Sequence, residues 1–227
     1  MILIPVKNMS AAKQRLADVL DQPSRTKLAQ AMLQDVLAAL HGWDNRPQIA
    51  VVTGDPYASE LARDCGFEIL PDPDNPGETG AIEMATRVCV ERGAEYTLVI
   101  PADIPLIQSW ELEEILKHAP AQGSVLVPAG DGRGTNAAFR RPADLFPLRF
   151  GNDSFKPHHA AAKASGKPCI VLELPGIEVD VDNPEDLQRL ISLPGETRAQ
   201  RLVREYARVG LSRVRPDDAL ERQSRQG

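Results

Sequence analysis

Residues 1–16 read MILIPVKNMSAAKQRL. Ile2–Val6 is an apolar run of strand length, the pattern of a strand buried on both faces of a sheet. It stops at Lys7, and Lys13 and Arg15 follow within one short loop. In open α/β sheets, ligands bind outside the carboxyl ends of strands, where nucleotide-binding folds often place glycines. This loop carries cations instead, so the reading of the fold turns on what those cations face.

Downstream, short apolar runs alternate with amphipathic stretches. Leu28, Met32, Val36 and Leu40 recur every four residues and predict a helix over 24–40. A strand is expected over 49–53, then a helix through Leu61 closed by Gly66, then a short strand over 68–70. The stretch PDPDNPGETG (71–80) is rich in turn formers and reads as a loop before a helix over 81–92. Further strands are expected over 97–100, 124–127, 137–140 and 169–174. Further helices are expected from Ser109 as cap through His118, over 154–165, through Ile191 and over 197–208. This alternation predicts one α/β domain, a mostly parallel sheet with helices on both faces, spanning 1–209. A polar tail occupies 210–227.

Composition narrows the class. The chain has 227 residues, 42% hydrophobic and 26% charged, as in an ordinary globular protein. Its apolar runs are too short to span a bilayer, and Lys7 interrupts any signal-peptide core, which points to a cytoplasmic protein with no membrane partner. A net charge of −6 argues against nucleic acid as a partner. Cys65, Cys89 and Cys169 show no CxxC spacing and read as reduced thiols.

No GxxxxGK[ST] is present, and GDGRGTN (130–136) is not GxGxxG. Asp103, in LVIPADIPL, follows an apolar strand between Pro101 and Pro105, a place suited to a magnesium ligand or to a turn aspartate. Asp180 and Asp182 alternate in an extended segment, so both carboxylates share a face and can hold a hard cation. The competing reading is that they sit near the positive end of a helix capped by Asn183 and begun by Pro184. Lys7, Lys13 and Arg15 are phosphate ligands or a solvated face, and the strand-end position of Lys7 favours the former. Gly151 and Ser154 precede a helix whose free N–H groups suit an anion or a simple cap. His158 and His159 are adjacent and point different ways on a helix, which disfavours a shared metal.

IPVKNMSAAKQRL, PADIPL, GRGTNAAF, FGNDSFKPHHAAA and VDVDNPEDL occur in this order. Together they resemble the CofC family of guanylyltransferases, which act in biosynthesis of the deazaflavin coenzyme F-420. The resemblance covers roughly residues 1 to 193. It implies a GT-A-like nucleotidyltransferase fold and transfer of GMP from GTP to a phosphorylated three-carbon acid, with release of pyrophosphate. The acid is 2-phospho-L-lactate, phosphoenolpyruvate or 3-phospho-D-glycerate, depending on the member. The resemblance assigns magnesium to Asp103, Asp180 and Asp182, the phospho-acid to Thr135, Gly151 and Ser154, and the nucleotide to Lys7, Lys13 and, more weakly, Arg15. It makes Lys7, Lys13 and Asp103 the catalytic groups. It leaves room for a homodimer and for passing the product to a downstream transferase. A phosphate monoester is mostly dianionic at neutral pH, so it can attack phosphorus without a general base. It needs cations to offset the repulsion of two polyanions, which accounts for a cationic first loop. The alternatives are a sugar-phosphate or molybdopterin nucleotidyltransferase of the same fold, or a non-catalytic nucleotide-binding domain.

Overall fold

The computed structural model describes residues 1–72, 77–151, 153–208 and 210. The strands are β1 (Ile2–Val6), β2 (Ile49–Thr53), β3 (Glu68–Pro71), β4 (Thr97–Val99), β5 (Gly123–Pro128), β6 (Thr135–Arg141) and β7 (Cys169–Val171). The helices are α1 (Gln22–His41), α2 (Pro56–Asp64), α3 (Glu78–Glu91), α4 (Ser109–His118), α5 (Phe155–Ala164), α6 (Pro184–Ser192) and α7 (Arg198–Arg208). The strands form one sheet ordered β3-β2-β1-β4-β6-β5-β7. β6 alone runs antiparallel to its neighbours; the other pairings are parallel.

β1 is apolar throughout because it is covered on both sides. Ile2, Ile4 and Val6 pack with Leu33, Val36 and Leu37 of α1 and Leu112 and Ile115 of α4. Leu3, between them, packs with Ala81, Ile82 and Ala85 of α3 and Ala162 of α5. A third core stands at one end. Leu16 and Leu20 from the loop after β1 meet Leu28 and Met32 of α1, Val181, Leu187 and Leu190 around α6, and Ala199, Val203 and Tyr206 of α7. The C-terminal helix is thus packed behind the cationic loop.

The expected elements are present with shifted ends. α3 begins at Glu78, inside the stretch read as a loop, after Gly77 in a left-handed conformation (φ 95°). Helix α4 is capped by Gln108 rather than Ser109: the Gln108 N–H donates to Glu111 Oε2 at 2.9 Å. Strand β7 stops at Val171, three residues early, and β6 starts at Thr135, two residues early. The polar tail lies outside the described residues apart from Gly210.

α7 is fastened by a carboxylate. Asp35 of α1 is buried, and it accepts from the Arg198 N–H at 3.0 Å and the Ala199 N–H at 2.8 Å. Two charge-assisted bonds on otherwise unpaired helix-start donors make this an N-cap supplied from another helix. Asp35→Ala is expected to cost about 2 kcal/mol of unfolding free energy, read by urea denaturation.

Candidate active site

The parallel strands β1 and β4 end at the same sheet edge and place Lys7 and Asp103 there. The loop after β1 is built, not loose. Asp55 accepts from the Met9 N–H and from the Ala58 N–H, both at 3.0 Å, so one buried carboxylate holds the loop and caps α2. Thr53 Oγ1 donates to the Val6 carbonyl at 2.8 Å and braces the strand end. Lys13 adopts a left-handed backbone (φ 53°), a conformation that costs a non-glycine residue energy and persists where its surroundings enforce it.

That conformation aims the Lys13 ammonium inward. It donates to Asp103 Oδ2 at 2.6 Å and to Asp182 Oδ1 at 2.8 Å, with its side chain only 10% exposed. Arg15 approaches the other oxygen of Asp182 at 3.5 Å. The aspartates meet because the Val181 N–H donates to the Asp103 carbonyl at 3.2 Å, and Asp186 accepts from the N–H groups of Asp182 and Asn183 at 2.8 and 3.0 Å. Asp180 Oδ1 accepts from Asn136 Nδ2 at 3.1 Å. Lys7 is more exposed and faces Glu78 at 3.7 Å across the mouth.

The charges are unbalanced in an informative way. Burial alone would lower the Lys13 pKa, but the Asp103 and Asp182 charges outweigh it and hold the ammonium well above its ordinary value. Burial also opposes ionisation of Asp182, yet Lys13 and then Arg15 pull its pKa below the usual range. Asp180 has no such partner: burial first, and the Asp103 charge second, push it up to about 6. Glu78 is pushed up to about 7 by burial and by Asp103, despite Lys7. In both, burial and neighbouring negative charge disfavour the ionised form.

A pH prediction follows for protein in metal-free buffer. Asp180 binds protons more tightly folded than unfolded, so its ionisation erodes stability as pH rises from about 4 to about 6. The equivalent window for Glu78 runs from 4.5 to about 7. Asp180→Asn and Glu78→Gln are therefore expected to melt higher than the parent at pH 7.5, with the advantage gone at pH 3.5, as read by thermal denaturation in EDTA.

Thr135, Gly151 and Ser154 connect to this cluster through their neighbours. Asn136, next to Thr135, also donates to the Ile177 carbonyl at 2.9 Å and so ties the start of β6 to the Asp180 segment. The Thr135 N–H donates to Ser154 Oγ at 3.0 Å. Gly151 has φ 140°, and a Cβ there would meet nothing within 4 Å, so its backbone faces open space. The Phe150 N–H donates to Thr79 Oγ1 at 3.0 Å, which links this segment to the start of α3 and hence to Glu78. Lys13, Arg15, Asp103 and Asp182 thus come together as an ion-pair cluster with Asp180 beside it, Thr135 and Ser154 touch, and Lys7 stands at the rim. Sequence reasoning missed Glu78, hidden in a stretch that read as loop, and Asn136, Thr53 and Asp55, which act through backbone contacts.

Among the described residues, no group of three or more His, Cys, Asp or Glu side chains is arranged to hold a metal ion. His158 and His159 diverge as expected: His158 is buried, and His159 stacks on Phe155.

Residues 1–223 match the family model described as guanylyl transferase CofC like. The chain belongs to this family. The CofC-like chain is 36% identical over 204 residues to a phosphoenolpyruvate guanylyltransferase from Roseiflexus castenholzii, covering 90% of this chain and 93% of the relative. It is 34% identical over 221 residues to a 2-phospho-L-lactate guanylyltransferase from Methanothermobacter thermautotrophicus (97% and 95% covered). A 3-phospho-D-glycerate guanylyltransferase from Colwellia psychrerythraea shares 32% over 193 residues (85% and 91% covered). Among solved structures, one from Desulfovibrio desulfuricans assigned to the nucleotide-diphospho-sugar transferases superposes with TM-score 0.72 at 20% identity, covering 92% of this chain and 95% of that one. A CMP:2-keto-3-deoxy-manno-octonic acid synthetase reaches TM-score 0.55 at 13% identity, covering 85% of this chain and 96% of that one. The fold is that of the nucleotidyltransferases, and the expected GT-A-like α/β architecture is what the CofC-like chain adopts.

Proposed function

We propose that this protein transfers GMP from GTP to a phosphorylated three-carbon acid, with release of pyrophosphate, in coenzyme F-420 biosynthesis. The observation that carries the reading is the Lys13 ammonium held between Asp103 and Asp182 beside the under-compensated Asp180. An acceptor phosphate oxygen attacks the α-phosphorus of GTP. One P–O bond forms, the α–β bridge breaks, and pyrophosphate carries away the electron pair. No proton need be removed from a dianionic attacker, which agrees with the lack of a nucleophile–base pair in the cluster.

Among the described residues the aspartates form no ready three-carboxylate cage, but the two that meet Lys13 suit magnesium. Asp103 and Asp182 already aim carboxylate oxygens at one cation, and magnesium commonly takes one or two carboxylates with substrate phosphates completing its shell. Asp103, Asp180 and Asp182 would hold it, and when bound it offsets phosphate charge during the displacement. Lys13, once released from the aspartates, and Lys7 at the rim bind the triphosphate. Thr135, the Gly151 N–H and Ser154 hold the acid. The catalytic domain spans 1–209, and free thiols at Cys65, Cys89 and Cys169 suit the cytoplasm. The product passes to a downstream transferase.

The test is to supply GTP and magnesium with each of phosphoenolpyruvate, 2-phospho-L-lactate and 3-phospho-D-glycerate, follow pyrophosphate, and trap the product with the downstream transferase. Release with one acid, abolished by EDTA, is expected. Silence with all three acids alongside release with a sugar phosphate would reassign the acceptor, and tight GTP binding with no release from any acceptor would make the domain non-catalytic.

A further inference from the structure

His158 is 1% exposed, and both ring nitrogens are engaged. The Arg149 N–H lies 2.8 Å from Nε2, so Nε2 must be the acceptor. The ring proton then sits on Nδ1, 2.9 Å from Thr135 Oγ1. Burial, helped by the nearby Arg140 charge, lowers the ring pKa to about 4, which keeps this neutral tautomer in place. The consequence falls on Thr135. Its hydroxyl oxygen accepts from His158, so its own hydrogen is left to donate elsewhere. Ser154 is in the same state, because its oxygen accepts the Thr135 N–H. Two adjacent hydroxyls are thereby set as donors, the polarity an anionic oxygen requires.

We propose that His158 is a positioning residue for the phospho-acid: Nδ1–H fixes the Thr135 hydroxyl as a donor, and Nε2 holds the chain at Arg149, two residues before Gly151. The proposal rests on the function proposed above. His158 also packs edge-on against Phe150, 5.0 Å between ring centres, so the ring steadies the segment that leads to Gly151.

The experiment compares His158→Ala, His158→Asn, Thr135→Val and the His158→Ala/Thr135→Val double variant, with KM measured separately for GTP and for the acid. His158→Ala is expected to raise KM for the acid about ten-fold, one hydrogen bond to an anion, with KM for GTP within about two-fold. His158→Asn, whose amide N–H lies near the lost Nδ1–H, recovers most of the loss. In the Thr135→Val background, His158→Ala adds little, because its action through the hydroxyl is already gone. Equal rises in both KM values, no recovery by Asn, or full additivity in the double variant would overturn the proposal. If His158→Ala does not fold, the Asn and Thr135→Val arms still decide, together with nitrogen NMR of labelled histidine, which should show the Nδ1–H tautomer at neutral pH and a shift on adding the acid. A wild-type protein that releases no pyrophosphate with any phospho-acid fails at the level of function, a result distinct from variants that behave like an active wild type.

Discussion

Lys13→Met is expected to lower turnover by about a thousand-fold, read as pyrophosphate release at saturating GTP and acid. The methionine keeps the length and apolar stem of lysine and removes only the charge. The ammonium is the most deeply placed cation of the cluster, and its left-handed backbone is held by the Asp55-braced loop and the Leu16 and Leu20 packing behind it. A buried ammonium acts on phosphate through a lower dielectric than an exposed one, so its removal should cost more than removal of Lys7, even though Lys13 must first exchange its carboxylate partners for phosphate. Lys13→Arg should recover little, because the planar guanidinium cannot take the place of a point charge wedged between two carboxylates. Stability moves less. Breaking a fully buried pair costs several kcal/mol, but Asp103 and Asp182 are 28% and 40% exposed, so about 1–2 kcal/mol is expected at neutral pH. A large kinetic loss with a small shift in urea midpoint supports the assignment, and loss of folding in step with loss of activity would make Lys13 structural.

The sequence carried most of the architecture because the strongest signals were local. β1, β2 and β4 are dominated by apolar residues, with threonine only at the end of β2 and the start of β4, and the four-residue repeat on α1 runs well beyond ordinary strand length. Gly66 and Gly93 both adopt positive φ where helices were expected to stop. The errors fell where a tertiary contact overrides a local cue. Glu78 and Thr79 sit among turn formers, yet they are helical, and Thr79 is bound to Phe150 across 71 residues of chain. Gln108 outcompetes Ser109 as cap because Glu111, buried, accepts from the Gln108 N–H at 2.9 Å and from the Gly176 N–H at 2.7 Å. The aspartates were visible as strand-end residues and as an Asp-x-Asp. Their occupant was not, since nothing in residues 1–16 says that Lys13 will turn left-handed and reach Asp182 across 169 residues. The capping reading of the Asp180–Asp182 segment was also correct in part: Asn183 does cap α6, and Asp186 completes the box. One short stretch serves the helix start and the charge cluster together.

Asp103→Asn and Asp182→Asn are expected to lower kcat/KM for GTP by about a hundred- to a thousand-fold each, with no recovery at high magnesium. Each removes a carboxylate that faces the shared cation, and an amide oxygen holds a hard divalent ion poorly. Asp180→Asn should cost less, about ten-fold, because its carboxylate is directed partly at Asn136 and is not one of the two that meet Lys13. The ranking separates metal binding from simple charge balance through one further variant. Lys13→Met paired with Asp103→Asn removes one charge of each sign, so the cluster is nearly neutral again and should regain most of the stability lost in Lys13→Met alone. Activity should not return, because both the phosphate-binding ammonium and a metal-facing carboxylate are then missing. Urea unfolding of the double variant beside its pyrophosphate release reads both quantities on one protein. Recovery of both would mean that the cluster serves only to hold the loop in place, and recovery of stability without activity places the chemistry on Lys13 and the two aspartates it bridges.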